Sequence, residues 1–353
     1  MRLAYSHEWP VHLKMTSEEA SRNNRPREAL HEIYDIAIAL DTVGCVLSPR
    51  TGSSSIVRLL GNGEVAKQAG ETDMPSPCLY VSAGFPCHSL LVFDQTGRHV
   101  ADVTLSLHSA VHIAGVPANS EALLQRYHIG RILIHDRSLY VADCEFDFIY
   151  VCDLAGDVRH VISWPDELCA PMGMCVAFDR LYVCDSGHRR VRVYDLQSYR
   201  PVPDEDSPGY FTGIHTRGVC QCSLGPQQQQ RLVTGDFESG HVLLLETHQR
   251  CSVRLSGLDS IGEPFALVPG PLPDTVFVSS SSMQGDHSVK LISFAITGQG
   301  DGEGRLLTFC GGQGSGPGQF NKPRGLAFDP TSLKLYVVDA RNYRIQVFSV
   351  DKV

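Results

Sequence analysis

The C-terminal part of the chain contains a compact strand–turn–strand unit. The segment Phe320-Asn-Lys-Pro-Arg-Gly-Leu-Ala-Phe-Asp329 is followed by Leu335-Tyr-Val-Val-Asp339 and then by Ala340 to Phe348. Alternating residues of β-branched and aromatic type suit strands that pack against neighbours on both faces. One such unit cannot bury its own faces, so it predicts further copies in the chain that stack against it.

The same pattern recurs upstream with decreasing fidelity. Good copies contain Leu181-Tyr-Val-Cys-Asp185, Leu139-Tyr-Val-Ala-Asp143 and Leu232-Val-Thr-Gly-Asp236. Weaker copies contain Val276 to Ser280, Leu79 to Ala83, and Ile36 to Asp41 with Cys45 to Ser48. Together with the C-terminal unit this makes seven. Their spacing along 353 residues leaves room for four short antiparallel strands in each.

The C-terminal unit, with its Asn321-Lys-Pro-Arg-Gly325 and Asp339-Ala-Arg-Asn-Tyr-Arg344 segments, resembles an NHL repeat. The resemblance is strong there, moderate in the middle units and weak in the first two. It implies an all-β fold, a single closed β-propeller of four-stranded antiparallel blades. The count favours seven blades, and six, the commoner number in NHL propellers, stays open.

The last unit needs a fourth strand, because the chain ends at Val353, just after the third strand of that unit. We expect residues 1–35 to form a partly irregular segment that supplies a closing strand. Trp9 to Leu13 and Ile33-Tyr34 are the candidates. Residues 36–353 would then form the NHL-like propeller. Closure of the ring would remove strand edges that otherwise invite aggregation.

Composition narrows the function classes. A formal net charge of −9 disfavours general attraction to nucleic acid or anionic membranes. The N-terminus lacks the apolar core of a signal peptide, and no run is long enough for a membrane helix. The twelve cysteines contain no C-x-x-C pair, so we expect buried thiols in a reducing compartment rather than a metal site. These features predict a cytoplasmic, monomeric propeller without a cofactor, metal or membrane contact.

An Asp at the end of one strand recurs with an Arg at the start of the next. The carboxylate can accept hydrogen bonds from the Arg and from the intervening turn. We therefore interpret the set as a structural latch that holds the hairpin, rather than a catalytic site. The latch residues are Asp143, Asp185, Arg190, Asp236, Asp339, Asn342 and Arg344.

In NHL-like propellers the latch turns and the loops that lead into the inner strands lie on one face, which commonly binds partners. Here those segments are rich in aromatic, Arg and His residues, the types enriched at binding hot spots. The predicted partner-binding residues are Phe85, His88, Phe146, His188, Arg189, Phe237, Phe320, Lys322, Arg341 and Tyr343.

The resemblance makes a non-enzymatic scaffold that binds a protein or peptide on this face the leading prediction. It leaves open a role as a receptor for ubiquitin-ligase machinery, but the chain lacks the Cys and His spacing of a RING or B-box. RNA binding is the alternative, and a metal-assisted lyase or hydrolase using the central channel is a second one. No catalytic residue is assigned, since no G-x-S-x-G elbow or metal-ligand set is present.

Overall fold

The structure is a computed structural model in which antiparallel β-sheet dominates. It describes residues 3–10, 13–14, 28–29, 33–39, 45–50, 54–59, 72–73, 78–83, 89–107, 129–163, 167–203, 211–224, 229–246, 251–282, 285–297 and 301–351. In these residues six sheets of four antiparallel strands follow one another along the chain. We number the sheets from first to sixth, and call their strands inner, second, third and outer.

The first three sheets span residues 33 to 212. The first contains Ile33–Ala39, Cys78–Ala83, Ser89–Asp94 and His99–Thr104. The second contains Ile129–His135, Ser138–Asp143, Phe148–Asp153 and Asp157–Ile162, with Ser106–Leu107 added parallel to its outer strand. The third contains Pro171–Ala177, Arg180–Asp185, Arg190–Asp195 and the short Phe211–Thr212.

The last three sheets use the rest of the chain and one N-terminal strand. The fourth contains Thr216–Leu224, Gln229–Asp236, His241–Glu246 and Cys251–Arg254. The fifth contains Glu263–Pro269, Thr275–Ser281, His287–Thr297 and Asp301–Gly311. The sixth contains Pro323–Asp329, Lys334–Asp339, Arg344–Val350 and, as its outer strand, Leu3–Pro10. A 3-10 turn, Ala340–Asn342, connects its second and third strands.

The inner strands lie side by side in chain order. Each contacts the inner strand of the next sheet, and the inner strand of the sixth sheet contacts that of the first. Glycines allow this approach. A Cβ on Gly173 would lie 2.6 Å from the carbonyl oxygen of Arg217, and one on Gly218 would lie 2.7 Å from that of Phe265. A side chain at either position would therefore push neighbouring inner strands apart.

The hydrophobic core is divided among the spaces between successive sheets. Five clusters of buried side chains each join one sheet to the next. A sixth cluster joins the first sheet to the sixth, with Leu79 and Val81 on one side and Tyr336 and Val347 on the other. The second strands, which carry the Leu-Tyr-Val pattern, supply much of this core because both of their faces are covered.

The first two predicted units prove to be parts of one sheet. Ile33–Ala39 pairs with Cys78–Ala83, so the strand that contains Ile36 is the inner strand of the unit that contains Leu79. Cys45–Arg50, Ser54–Leu59 and Thr72–Asp73 form a separate three-stranded sheet between them. The first of the seven predicted units is therefore not a separate four-stranded sheet, because it combined the inner strand of the first sheet with strands of this three-stranded sheet.

An N-terminal strand pairs with the last strand of the chain, as the sequence predicted. Leu3–Pro10 runs antiparallel to Arg344–Val350, with Trp9 opposite Ile345. Of the predicted closing segment, Trp9 to Leu13, only Trp9 and Pro10 belong to this strand. The other candidate, Ile33-Tyr34, lies instead in the inner strand of the first sheet. A two-stranded sheet of Leu13–Lys14 and Glu28–Ala29 lies between them in sequence.

The cysteines that the sequence placed in apolar strands are buried. Cys152, Cys175 and Cys184 have exposed fractions of 1%, 8% and 0%, and no described cysteine forms a disulfide. Burial raises the pKa of the Cys184 thiol to about 12, and raises the pKa values of Cys152 and Cys175 well above the ordinary range. These thiols act as small apolar groups rather than nucleophiles.

Candidate binding face

The complete latch of the sixth sheet is a buried network around Asp339. One carboxylate oxygen accepts the backbone N–H of Asn321 at 2.7 Å. The other accepts Arg344 Nε at 2.8 Å, Asn342 Nδ2 at 2.9 Å and Gln346 Nε2 at 3.0 Å. The carboxylate thus joins the lead-in loop of the inner strand to the turn and to the third strand.

Asn342 and Arg344 also hold the glycine-rich loop before Phe320. Asn342 Nδ2 donates to the carbonyl of Gly314 at 2.8 Å, and Arg344 Nη2 donates to that of Gly316 at 2.9 Å. Arg344 also donates to the carbonyl of Gln319 at 3.0 Å. The glycine-rich loop is therefore held in place by the latch.

The third sheet repeats this arrangement with one exchange. Asp185 accepts the backbone N–H of Cys169 at 2.7 Å and Arg190 Nε at 2.6 Å. His188 takes the place of the Asn, with Nδ1 2.9 Å from the Asp185 carboxylate. His188 therefore belongs to the latch, although its ring remains exposed on the surface.

The acids of the other two latches cap their turns without an arginine. Asp143 accepts the backbone N–H groups of Glu145 and Phe146 at 3.0 and 3.1 Å. Asp236 accepts the backbone N–H of His215 at 3.2 Å and Ser239 Oγ at 2.6 Å. In all four sheets the carboxylate accepts hydrogen bonds from its own turn or lead-in loop.

We call the surface formed by the four latch turns and the lead-in loops the latch face. It comprises residues 144–147, 167–170, 186–189, 214–215, 237–240, 260–262, 320–322 and 340–343. The turns on the other end of the sheets, such as 178–179, 196–200 and 330–333, form the opposite face. This distinction follows from the antiparallel pairing, which places the start of each inner strand beside the end of the second strand.

Most of the described residues predicted to bind a partner lie on the latch face with some exposure, as Phe146, His188, Arg189, Phe237, Lys322, Arg341 and Tyr343 do. Phe320 does not, because it is fully buried between the fifth and sixth sheets, 5.8 Å from the Phe348 ring. The prediction that Phe320 belongs to the binding surface was wrong, because its side chain anchors the lead-in loop in the core. Phe85 and His88 lie outside the described residues.

The predicted residues divide into separate groups on this face. Phe146 stacks on Phe148 within the second sheet, with ring centroids 6.5 Å apart. Lys322 and Tyr343 belong to the sixth sheet and adopt left-handed backbone angles, with φ of 56° and 55°. Arg189 lies beside the turn that carries Phe237, because it pairs with the next residue, Glu238, at the boundary between the third and fourth sheets.

At this boundary Arg189 forms a two-pronged ion pair with Glu238. Its Nη1 and Nη2 donate to the two carboxylate oxygens at 2.7 and 2.6 Å. These hydrogen bonds lower the pKa of Glu238 and raise that of Arg189. Both side chains are about half exposed, so the pair contributes little to stability but fixes the direction in which the guanidinium points.

A surface cavity of about 470 Å³ opens beside this ion pair. Met172, Gly187 and Arg189 line it from the third sheet, and His215, Arg217 and Glu238 from the fourth. The Phe237 ring forms a platform here, with the Arg217 guanidinium 3.6 Å from its centroid and the His215 ring 5.4 Å away. Phe265 and Arg324 complete the wall towards the centre of the face.

Three arginines converge at the centre of the latch face, which the sequence analysis missed. The guanidinium carbons of Arg131, Arg324 and Arg217 lie 4.9, 5.5 and 5.6 Å from the centroid of the Phe265 ring. Burial and, next, the charge of Arg324 lower the pKa of Arg217. A sequence signal existed: each arginine adjoins the glycine at the head of an inner strand, as in Gly130-Arg131, Arg217-Gly218 and Arg324-Gly325.

No group of three or more His, Cys, Asp or Glu side chains in the described residues is placed to hold a metal ion. No helix among those residues is long and apolar enough to cross a bilayer.

Comparison with known proteins identifies the class of the last sheet and of the fold. Residues 320–348 match the NHL repeat family. These residues form the inner, second and third strands of the sixth sheet, which therefore contains an NHL repeat. No curated protein matches the chain in sequence.

Solved structures resemble the chain in fold. A chain of the mitotic checkpoint complex, which is propeller-like, has a TM-score of 0.50 at 12% identity, covering 77% of this chain and 72% of that one. Kuenenia stuttgartiensis hydrazine synthase gives 0.51 at 16% identity, covering 82% and 81%. Virginiamycin B lyase from Staphylococcus aureus gives 0.48 at 10% identity, covering 98% and 100%. At these identities the likeness concerns architecture alone.

Proposed function

We propose that the chain forms a closed six-bladed propeller that acts as a non-enzymatic interaction module. Its latch face binds an acidic segment of a protein partner in the cavity between the third and fourth sheets. The observation that carries this proposal is the grouping of Arg189, Arg217 and Arg324 around that cavity, with the Phe237 ring packed against the Arg217 guanidinium.

Three features support closure of the ring with six blades. The inner strands of the sixth and first sheets are in contact. A hydrophobic cluster fills the space between those two sheets, as in the other five spaces. The N-terminal strand covers the edge that the last strand would otherwise expose. A closed ring holds the latch turns rigidly, which lowers the entropy cost of binding a partner on them.

The chemistry of the cavity favours an acidic peptide. Among the described residues that line it, three are arginines, Arg189, Arg217 and Arg324, and one is a carboxylate, Glu238, which pairs with Arg189. Guanidinium groups bind carboxylates in a planar, two-pronged way, and an aromatic platform such as Phe237 supplies contact area. The same arginines could hold RNA phosphates, but the net charge of −9 opposes this alternative.

Binding experiments with matched variants test the proposal. We expect the double substitution Arg189→Ala and Phe237→Ala to weaken partner binding at least about thirtyfold, since hot-spot residues contribute about 2 kcal/mol or more. The measurement is quantitative affinity purification, followed by titration of the recovered partner. Because the Arg189–Glu238 pair is exposed, the melting temperature should change little.

A control on the opposite face separates the loss of latch-face contacts from general destabilisation of the fold. Phe178 is 45% exposed in a turn there, and Arg200 is also exposed. The pair Phe178→Ala and Arg200→Ala removes the same residue types and should leave binding within about threefold. Equal loss in both double variants would contradict the proposal. Recovery of RNA, with binding that falls steeply as salt rises, would replace it with the nucleic-acid alternative.

A further inference from the structure

The six inner strands enclose a second cavity, of about 400 Å³, along the axis of the sheets. Each inner strand contributes to its wall, and the described residues that line it are apolar or glycine with one exception, Arg131. The apolar lining residues include Ile36, Met174, Leu267 and Phe328. The volume lies in the range of small-molecule sites, about 300–1,000 Å³. This cavity is therefore suited to the aliphatic chain of a ligand whose polar group lies at one end, beside Arg131.

Arg131 closes the end of this cavity that faces the latch face. Its side chain is 4% exposed overall and reaches across the axis from the second sheet. Nη2 lies 3.2 Å from the carbonyl oxygen of Phe265 in the fifth sheet and 3.3 Å from that of Arg217 in the fourth. Two backbone carbonyls therefore hold the guanidinium at the centre of the ring, where the head of a ligand in the cavity would lie.

Two more positive charges surround the same end. The guanidinium groups of Arg217 and Arg324 and that of Arg131 all lie within 5.6 Å of the Phe265 ring. Like charges at such spacing repel one another. Burial is the largest cause of the lowered pKa of Arg217, and the charge of Arg324 is the second. An anion placed among them would relieve this repulsion and accept charge-assisted hydrogen bonds.

We propose that this cavity binds an aliphatic monocarboxylate, with its chain along the axis and its carboxylate at Arg131, Arg217 and Arg324. The apolar wall matches the chain, and the arginine end matches the charge. The apolar wall of this site is separate from the protein-binding cavity of the proposed function, but the two sites share Arg217 and Arg324. A monocarboxylate and an acidic partner segment would therefore compete for these two arginines.

Calorimetric titration of the purified full chain with decanoate, 1-decanol and decylammonium tests the proposal. We expect one decanoate per chain, at least about tenfold weaker binding of the alcohol, and no binding of the cation, because hydrogen bonds to charged groups contribute about 1.5–3 kcal/mol. From hexanoate to decanoate the affinity should rise about fourfold per CH₂. Equal affinity for alcohol and acid, or no heat with decanoate, would overturn the proposal.

Substitution of the mouth arginines gives a second readout. Arg217→Met and Arg324→Met should each weaken decanoate binding about tenfold or more. Arg305→Met removes an equivalent charge from the exposed outer strand of the fifth sheet and should change nothing. Loss of decanoate binding in Arg305→Met to the same degree would count against the assigned head-group site.

Photolabelling with a diazirine-bearing decanoate locates the ligand. Label on inner-strand residues 131–134, 266–270 and 326–330 supports the axial site. The competing location is the exposed apolar patch on the outer strand of the fifth sheet, where Leu306, Leu307 and Phe309 are 40%, 39% and 62% exposed. Label confined to that patch would show non-specific adsorption and overturn the proposal.

Discussion

Asp339→Ala should destabilise the protein by about 3–5 kcal/mol, the cost of removing one partner of a buried ion pair. The carboxylate is fully buried and accepts hydrogen bonds from Asn321, Asn342, Arg344 and Gln346. Its removal leaves the buried Arg344 guanidinium without that carboxylate and releases the lead-in loop. Equilibrium unfolding in urea, followed by circular dichroism, measures the loss.

Two companion variants make this result specific to the latch. Asp339→Asn keeps an acceptor oxygen but not the charge, so its free energy of unfolding should lie between those of the wild type and Asp339→Ala. Asp351→Ala removes an exposed carboxylate just after the third strand of the same sheet and should change the unfolding free energy by less than about 0.5 kcal/mol. An Asp339→Ala protein as stable as Asp351→Ala would contradict the structural role of the latch.

Deletion of residues 1–12 should lower stability throughout the molecule and not only in the sixth sheet. The deleted strand, Leu3–Pro10, pairs with Arg344–Val350 over seven positions. Backbone hydrogen bonds contribute about 1 kcal/mol each, so the loss amounts to several kcal/mol. The exposed edge of the last strand would also promote aggregation. Thermal melting and light scattering at several concentrations measure both effects.

Removal of residues 352–353, which follow the last strand in sequence, is the control and should leave melting unchanged. Addition of a peptide with the sequence of residues 1–12 should partly restore the deleted protein, because it can pair with the free edge. Unchanged melting of the deletion variant would show that the N-terminal strand does not close the ring.

The sequence was sufficient to predict the repeated unit and its latches. Local chemistry determines both: Leu-Tyr-Val alternation produces a strand covered on both faces, and an Asp before a turn accepts nearby N–H groups. Asp339, Asp185, Asp236 and Asp143 therefore lie where the pattern placed them, each bonded to its own turn or lead-in loop. The need for an N-terminal strand also followed from the incomplete last unit.

Features that depend on contacts between distant segments could not be predicted in the same way. The hairpin of Cys45–Arg50 and Ser54–Leu59 is apolar enough to resemble a repeat, although it lacks a Leu-Tyr-Val strand of its own. Phe320 is adjacent to polar loop residues in sequence, yet packing between two sheets buries it. The cluster of Arg131, Arg217 and Arg324 comes from three sheets, so it forms only because the inner strands of these sheets pack close together.

Hydrogen exchange of the chain with and without the recovered partner tests the central claim most directly, because it reports which face is covered. The account predicts slower exchange on the latch face, at residues 186–190 and 236–240 above all, with no change at residues 178–179, 196–200 and 330–333. Protection confined to the opposite face, or spread equally over both, would contradict it.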